Sequence, residues 1–389
     1  MKIQIILPDF PYPPNNGFRI KTYNLIDLLK LNHDIEVVVI KLNDKPVDAR
    51  YFESYKIPIK LFKVGFFEKI LNLFLAVFSF KPIQVHLYRS RAARKYIKKN
   101  GHRFDAYIFN MIRTSSYRDL VDQKKVIFDM VDLLSKSYAE SLRTTSSFFY
   151  KVIYSLEINR LRKEEDDVCL KVGHVILVNK EESEMLSCVF DNITWIPNGV
   201  NKNLFEYGET PTIKNRIVFL GAMHYQPNID AILWFDKYVI DKLNEKIELL
   251  IVGANPSKKI LDIQNRRKNV KVLGFVDDPF TILKSSLVVI APMQNGGGIQ
   301  NKILESMALG TINIISSYAA RPIIGGENDK HFIVEDKPNN LADIINKLSV
   351  GDLNLDYMKS EGKELIKNNY TWDNYIKKLN SILKNIQDD

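Results

Sequence analysis

Short apolar runs rich in β-branched residues recur along the chain, each followed by a stretch in which apolar positions return every three to four residues. Residues 3–7, 35–40, 105–110, 124–129, 174–179 and 192–197 read as buried strands in the first half. Residues 216–220, 248–252, 270–273, 286–291, 311–316 and 331–334 read the same way in the second. Helical spacing predicts helices over about 18–31, 133–170, from about 228 onward and 299–308, the last closed by Gly310. Strands alternating with helices predict parallel α/β sheets.

One stretch breaks this pattern in two directions. Residues 66–80, FFEKILNLFLAVFSF, put Phe66, Ile70, Leu73, Phe74, Val77 and Phe78 on one helical stripe with further apolar residues on its flanks. Arg89, Arg91, Arg94, Lys95, Lys98 and Lys99 follow closely. Apolar burial beside a basic cluster suits an interfacial element on anionic lipid; a core helix followed by a solvated charged one fits the same pattern. The charged run over 157–167 reads as solvated ion pairs.

With 389 residues the chain calls for two domains. Its net charge of +9 is concentrated in residues 1–100, which hold 18 basic and 8 acidic side chains. That excess implies an anionic partner. No helix-turn-helix, zinc-finger or RNA-binding phrase accompanies it, so nucleic acid is not expected. Cys169 and Cys188 form no CxxC pair, which argues for a reduced compartment without structural zinc. The start MKIQIILPDF breaks at Pro8 and Asp9 and reads as a first strand, and 66–80 is too short and too charged to span a bilayer. A cytoplasmic protein is expected, with peripheral contact to the inner face of the membrane through 66–99.

Chemistry concentrates at 286–317. Between two strands lie Gly296, Gly297 and Gly298, then a helix carrying Lys302 and Glu305 on one face. Bare glycine amides and a helix N-terminus make an anion cradle, and Lys302 adds a cation. The phrase GGGIQNKILESMALG resembles the nucleotide-sugar site of family 4 glycosyltransferases, especially those of exopolysaccharide assembly. The resemblance implies a GT-B fold, with two Rossmann-like domains of parallel sheets facing across a cleft. It also implies a retaining transfer, metal-independent and without cofactor, from a UDP- or GDP-linked sugar to a glycan or lipid-linked acceptor in cell-surface polysaccharide synthesis. The phrase IPNGVN at 196–201 matches the handover between domains. It implies an acceptor-binding domain over 1–197, a donor-binding domain over 198–370 and a final helix, 371–389, packed back on the first.

Residue by residue, the resemblance assigns Glu305 to the donor ribose and Gly296, Gly297, Gly298 and Lys302 to the diphosphate. Gly221, Met223 and His224 are implied to line the donor sugar, with His224 a catalytic candidate, and the backbone at Phe275 to hold the base. Gly17 and Arg19, in the first loop, are implied to face the donor phosphates. FDMVDLLS at 128–135 places Asp132 at a strand end, either bonding an acceptor hydroxyl or capping the following helix. Three family features are missing. Gly297 stands where many relatives have a second glutamate, no Arg/Lys pair follows the turn at Gly221, and 110–117 lacks a histidine. A catalytically silent nucleotide-sugar-binding subunit or scaffold of a glycan-assembly complex therefore stays open. A dinucleotide oxidoreductase is a third reading and ranks far behind, because no GxGxxG follows the first strand.

Overall fold

The computed structural model describes all residues except 15, 44–46, 48, 49, 55, 146, 147, 296, 297 and 389. The chain divides into two compact units, Met1–Pro197 with Tyr375–Asp389, and Asn198–Asn374. The first contains β1 (Lys2–Leu7), β2 (Asp34–Lys41), β3 (Ile59–Lys63), β4 (Ala106–Asn110), β5 (Val126–Val131), β6 (His174–Leu177) and β7 (Ile193–Trp195). Among the described residues these form one seven-stranded parallel sheet of order β3-β2-β1-β4-β5-β6-β7. Its central strands are apolar on both faces because helices cover both sides, as parallel sheets require. Phe109 and Phe128 stack across β4 and β5 in the core below.

The second unit contains β8 (Ile213–Leu220), β9 (Glu248–Val252), β10 (Val270–Gly274), β11 (Ser286–Ala291), β12 (Asn313–Ile315) and β13 (Ile333–Val334). They make a parallel sheet of order β10-β9-β8-β11-β12-β13. In each sheet the strand order reverses beside the first strand, between β1 and β4 and between β8 and β11. Open α/β sheets bind ligands at the carboxyl ends of the strands flanking such a point. Two glycines let β8 and β9 close up there. A Cβ on Gly253, whose φ is +150°, would meet the Gly221 carbonyl oxygen at 1.7 Å, and a Cβ on Gly221 would meet Asn228 Nδ2 at 2.6 Å.

Three expectations change. Strand β3 was not expected from the sequence, because its alternation IKLFK is half polar and leaves the strand at a sheet edge. The run at 157–167 is not a solvated face: Glu157, Glu164 and Glu165 on the helix Phe148–Lys171 are buried. Glu164 pairs at 2.7 Å with Arg118, itself buried, and Arg118 also bonds Asp167. A core helix over 66–80 is excluded too. On the helix Phe66–Val77 only Asn72 and Ala76 are buried, while Phe67 is 84% and Phe80, just beyond, 86% exposed.

Candidate functional site

In the second unit, the helix Asn301–Ala308 follows the glycine loop after β11. Its apolar face, Ile303, Leu304, Met307 and Ala308, packs fully into the core and thereby fixes where Lys302 and Glu305 stand. Gln300 gives the helix no side-chain cap; its carbonyl accepts from the Ile303 amide at 2.9 Å, and the helix N-terminus is otherwise uncapped by a side chain, which suits an anion. Gly298 has φ +74°, a left-handed turn that glycine takes without strain. Gly296 and Gly297 lie outside the described residues.

Lys302 is 8% exposed, yet no carboxylate pairs with it among the described residues. Its Nζ donates to Asn228 Oδ1 at 2.7 Å, lies 3.5 Å from Met293 Sδ and sits 4.1 Å from the centre of the Phe219 ring. Asn228 is held in turn by donating Nδ2 to the Ala222 carbonyl at 3.0 Å. Burial in these neutral surroundings drives the ammonium down to about 7. Glu305, one turn on, keeps part of its surface open to solvent but is otherwise ringed by protein, and burial alone pushes its carboxyl up to about 7. A buried cation and a largely buried acid, neither paired with an opposite charge among the described residues, are costly unless a ligand completes them.

The other expected residues of this unit fall as follows. Gly221, just past β8, lies against Gly253 and beside Asn228, a close approach of backbone that a Cβ would obstruct. His224 is exposed in the turn that follows, whereas Met223 is fully buried in the core and lines no open site, a correction to its expected place. Phe275 is two-thirds exposed just past β10. Asn228 was missed by sequence reading; an asparagine in the first turn of Gln226–Tyr238 looks like ordinary helix-start polarity.

In the first unit, Gly17 opens the helix Gly17–Leu29, which Asn16 caps by accepting from the Arg19 amide at 3.0 Å. Open space surrounds a Cβ built on Gly17. Arg19 is ion-paired with Asp9 at 3.4 Å, so its charge is already compensated. The strand-end acids are more telling. Asp129 accepts from Lys21 Nζ at 2.6 Å and from Asn110 Nδ2 at 3.0 Å, and both Lys21 and Asp129 are almost wholly buried. Lys21 was missed, although its spacing from Leu25 and Leu29 puts it on the face of the helix that is buried.

Asp132 caps no helix, since Leu133 holds the cap position of Leu134–Thr144 without a side-chain bond. Its Oδ1 is buried without a hydrogen-bond partner, and burial, opposed by Lys21, raises its carboxyl. Nearby Glu182 accepts from the Leu133 amide at 2.8 Å and is pushed up to about 7 by burial and by Asp132. Val131 and Met111, at the ends of β5 and β4, have φ of +71° and +64°. A β-branched residue in that region is strained, and such strain gathers at functional sites.

Residues 214–349 match the family described as Glycosyl transferases group 1. A Klebsiella pneumoniae protein, described as an uncharacterized 44.6 kDa protein in the cps region, is 21% identical over 356 residues, covering 86% of this chain and 87% of that one. Among solved structures, Anabaena Alr3699/HepE in complex with UDP superposes with a TM-score of 0.69 at 14% identity, over 99% of this chain and 100% of that one. Sucrose-phosphate synthase from Thermosynechococcus elongatus superposes with a TM-score of 0.70 at 14% identity, over 99% of each chain. Residues 214–349 thus form a glycosyl transferases group 1 domain, carried by a chain of GT-B fold.

Proposed function

We propose that the protein is a retaining glycosyltransferase of family 4 type, moving a hexose from a UDP- or GDP-linked donor to a glycan or lipid-linked acceptor in cell-surface polysaccharide synthesis. The observation that carries this reading is the unpaired couple on one helix, Lys302 and Glu305, held at near-neutral pKa by burial. A nucleotide sugar supplies what both lack. Its diphosphate is a counter-ion for Lys302 and the positive end of the helix, and its ribose hydroxyls are donors to the Glu305 carboxylate. Preorganised amides and a cation stabilise a departing diphosphate without proton transfer, so the reading needs no metal. That the Anabaena structure is a UDP complex and the Klebsiella relative comes from a cps region supports the donor class and the setting.

For the first unit we assign acceptor binding, with Asp132 and the buried Asp129–Lys21 pair at its strand ends. Membrane contact belongs to the same reading. Phe66–Val77 exposes most of its apolar side chains, and a second apolar stretch on Phe148–Lys171, from Phe148 to Leu156, is exposed as well, Phe148 to 81%. Arg160 Nη1 donates to the Ala76 carbonyl at 3.2 Å, so the two helices meet. Exposed patches of this kind mark interaction sites, and the basic helix Arg91–Asn100 supplies charge for anionic headgroups. No helix among the described residues is long and apolar enough to cross a membrane; the contact we propose is peripheral, at the inner face of the membrane.

The test is a panel of UDP- and GDP-sugars titrated into purified protein, followed by an assay of free nucleoside diphosphate released with lipid-linked and oligosaccharide acceptors. Donor binding with acceptor-dependent release is expected. Tight binding without release under any acceptor would overturn the enzyme in favour of a silent binding subunit.

A further inference from the structure

The first unit contains a cavity of about 210 Å³ at the carboxyl ends of three neighbouring strands. Pro8 and Asp9 follow β1, Leu42 and Asn43 follow β2, and Met111 and Arg113 follow β4. The cavity therefore straddles the β1/β4 reversal of strand order, the place where open α/β sheets bind ligands. Its volume lies below the roughly 300–1,000 Å³ of pockets that take drug-sized molecules, and suits one sugar ring or one anionic head.

Charge decides what fits. Asp9 is compensated by Arg19. Arg113 is not compensated: its Nε donates at 2.8 Å to the neutral Gln84 Oε1, its guanidinium stands 5.7 Å from the Tyr88 ring centre, and no carboxylate pairs with it among the described residues. Gln84 is oriented for this by donating its own amide to the Tyr138 hydroxyl. The Tyr88 side chain also hydrogen-bonds the guanidinium, so its partners are neutral groups, and its planar fork keeps a full positive charge that matches a carboxylate or phosphate. Beside it, Met111, with φ +64°, donates its amide N–H to the Asp129 carbonyl at 2.8 Å, which fixes where the chain toward Arg113 begins. Such a backbone persists only when its surroundings enforce it.

We propose that this cavity is a subsite for an anionic group on the acceptor, a carboxylate or a phosphate, received by the Arg113 fork. The proposal rests on the glycosyltransferase reading for the word acceptor, while the anion site itself stands on the cavity's own charge. Two sources share this chemistry: the carboxylate of a uronic acid within a glycan, and the phosphate that joins a sugar to a lipid.

Glucuronate, glucose 1-phosphate and glucose, each titrated into the full-length protein and its Arg113→Gln and Arg113→Lys variants with UDP titrated in parallel, provide the test. One of the two anions is expected to bind at least ten-fold more tightly than glucose. Preference for glucuronate identifies the carboxylate source, and preference for glucose 1-phosphate the phosphate source. Arg113→Gln is expected to lose that preference with UDP affinity unchanged, and Arg113→Lys to recover part of it. Equal binding of all three sugars, or a preference that survives Arg113→Gln, overturns the proposal. So does a fall in UDP affinity in Arg113→Gln, which would assign the arginine to the donor. Absence of UDP binding in every form would instead count against the glycosyltransferase reading and leave the anion preference to be read on its own.

Discussion

At the scale of single residues, Lys302 and Glu305 tie donor binding to pH. Burial lowers the lysine and raises the glutamate, each to about 7. A diphosphate wants the ammonium charged, and ribose hydroxyls want the carboxylate charged. Donor affinity is therefore expected to rise with pH on the Glu305 limb and fall on the Lys302 limb, giving a bell centred near neutrality in titrations of UDP across pH 5.5–9. Glu305→Gln should remove the acid limb and Lys302→Met the alkaline one; a flat profile for the parent protein would contradict the pairing of these groups with the ligand. Sequence spacing was enough to put both residues on one face of a helix. It could not reveal that neither has a counter-ion among the described residues; for Lys302 that depends on Asn228 and Phe219, which come from other elements, supplying neutral contacts.

At the scale of elements, two features of the first unit lend themselves to stability measurements. Val131 ends β5 with φ +71°, where a β-branched side chain is strained by on the order of 1–3 kcal/mol. Val131→Gly relieves that strain while giving the unfolded chain about 0.4–1 kcal/mol of extra entropy, so urea unfolding is expected to show unchanged or raised stability. A loss like that of an ordinary core Val→Gly change would contradict a strained strand end. Arg118 anchors the helix Phe148–Lys171 through buried Glu164. Arg118→Met leaves that acid with the more distant Lys81, 3.7 Å away, and is expected to cost up to about 3–5 kcal/mol, read as a lowered midpoint in the same experiment; a loss below about 1 kcal/mol would show that Lys81 or solvent takes over the acid. The charged run containing Glu164 looked solvated in sequence because its partner lies 46 positions earlier. Strand β3 escaped notice for a related reason, since an edge strand with one polar face lacks the continuous apolar run that marks its neighbours.

At the scale of the whole molecule, the most legible feature was the repeated strand-helix alternation, because parallel sheets covered on both faces demand apolar strands that stand out in one dimension. Less legible was the fate of the apolar stretch 66–80. Its pattern suited a core helix equally well, and only the exposure of Phe67, Phe74 and Phe78 separates the two. The apolar start of Phe148–Lys171 went unremarked because charged residues further along dominate that helix. If these helices meet lipid, the protein should sediment with phosphatidylglycerol-containing vesicles at low salt. Salt should weaken the binding by screening the basic helix, and the combined change Phe67→Ser, Phe74→Ser, Phe148→Ser should abolish it without loss of soluble fold. Equal sedimentation of parent and variant would remove these helices from the interface.

The account depends most on the second unit gripping a nucleotide sugar through one acidic side chain, and calorimetric titration of the parent protein and Glu305→Gln with the best-bound UDP- or GDP-sugar tests that directly. Loss of a hydrogen bond to a charged group corresponds to about 1.5–3 kcal/mol, so the variant is expected to bind roughly 10- to 100-fold more weakly with an unchanged melting temperature. Full affinity in Glu305→Gln would contradict the assignment of that carboxylate to the donor.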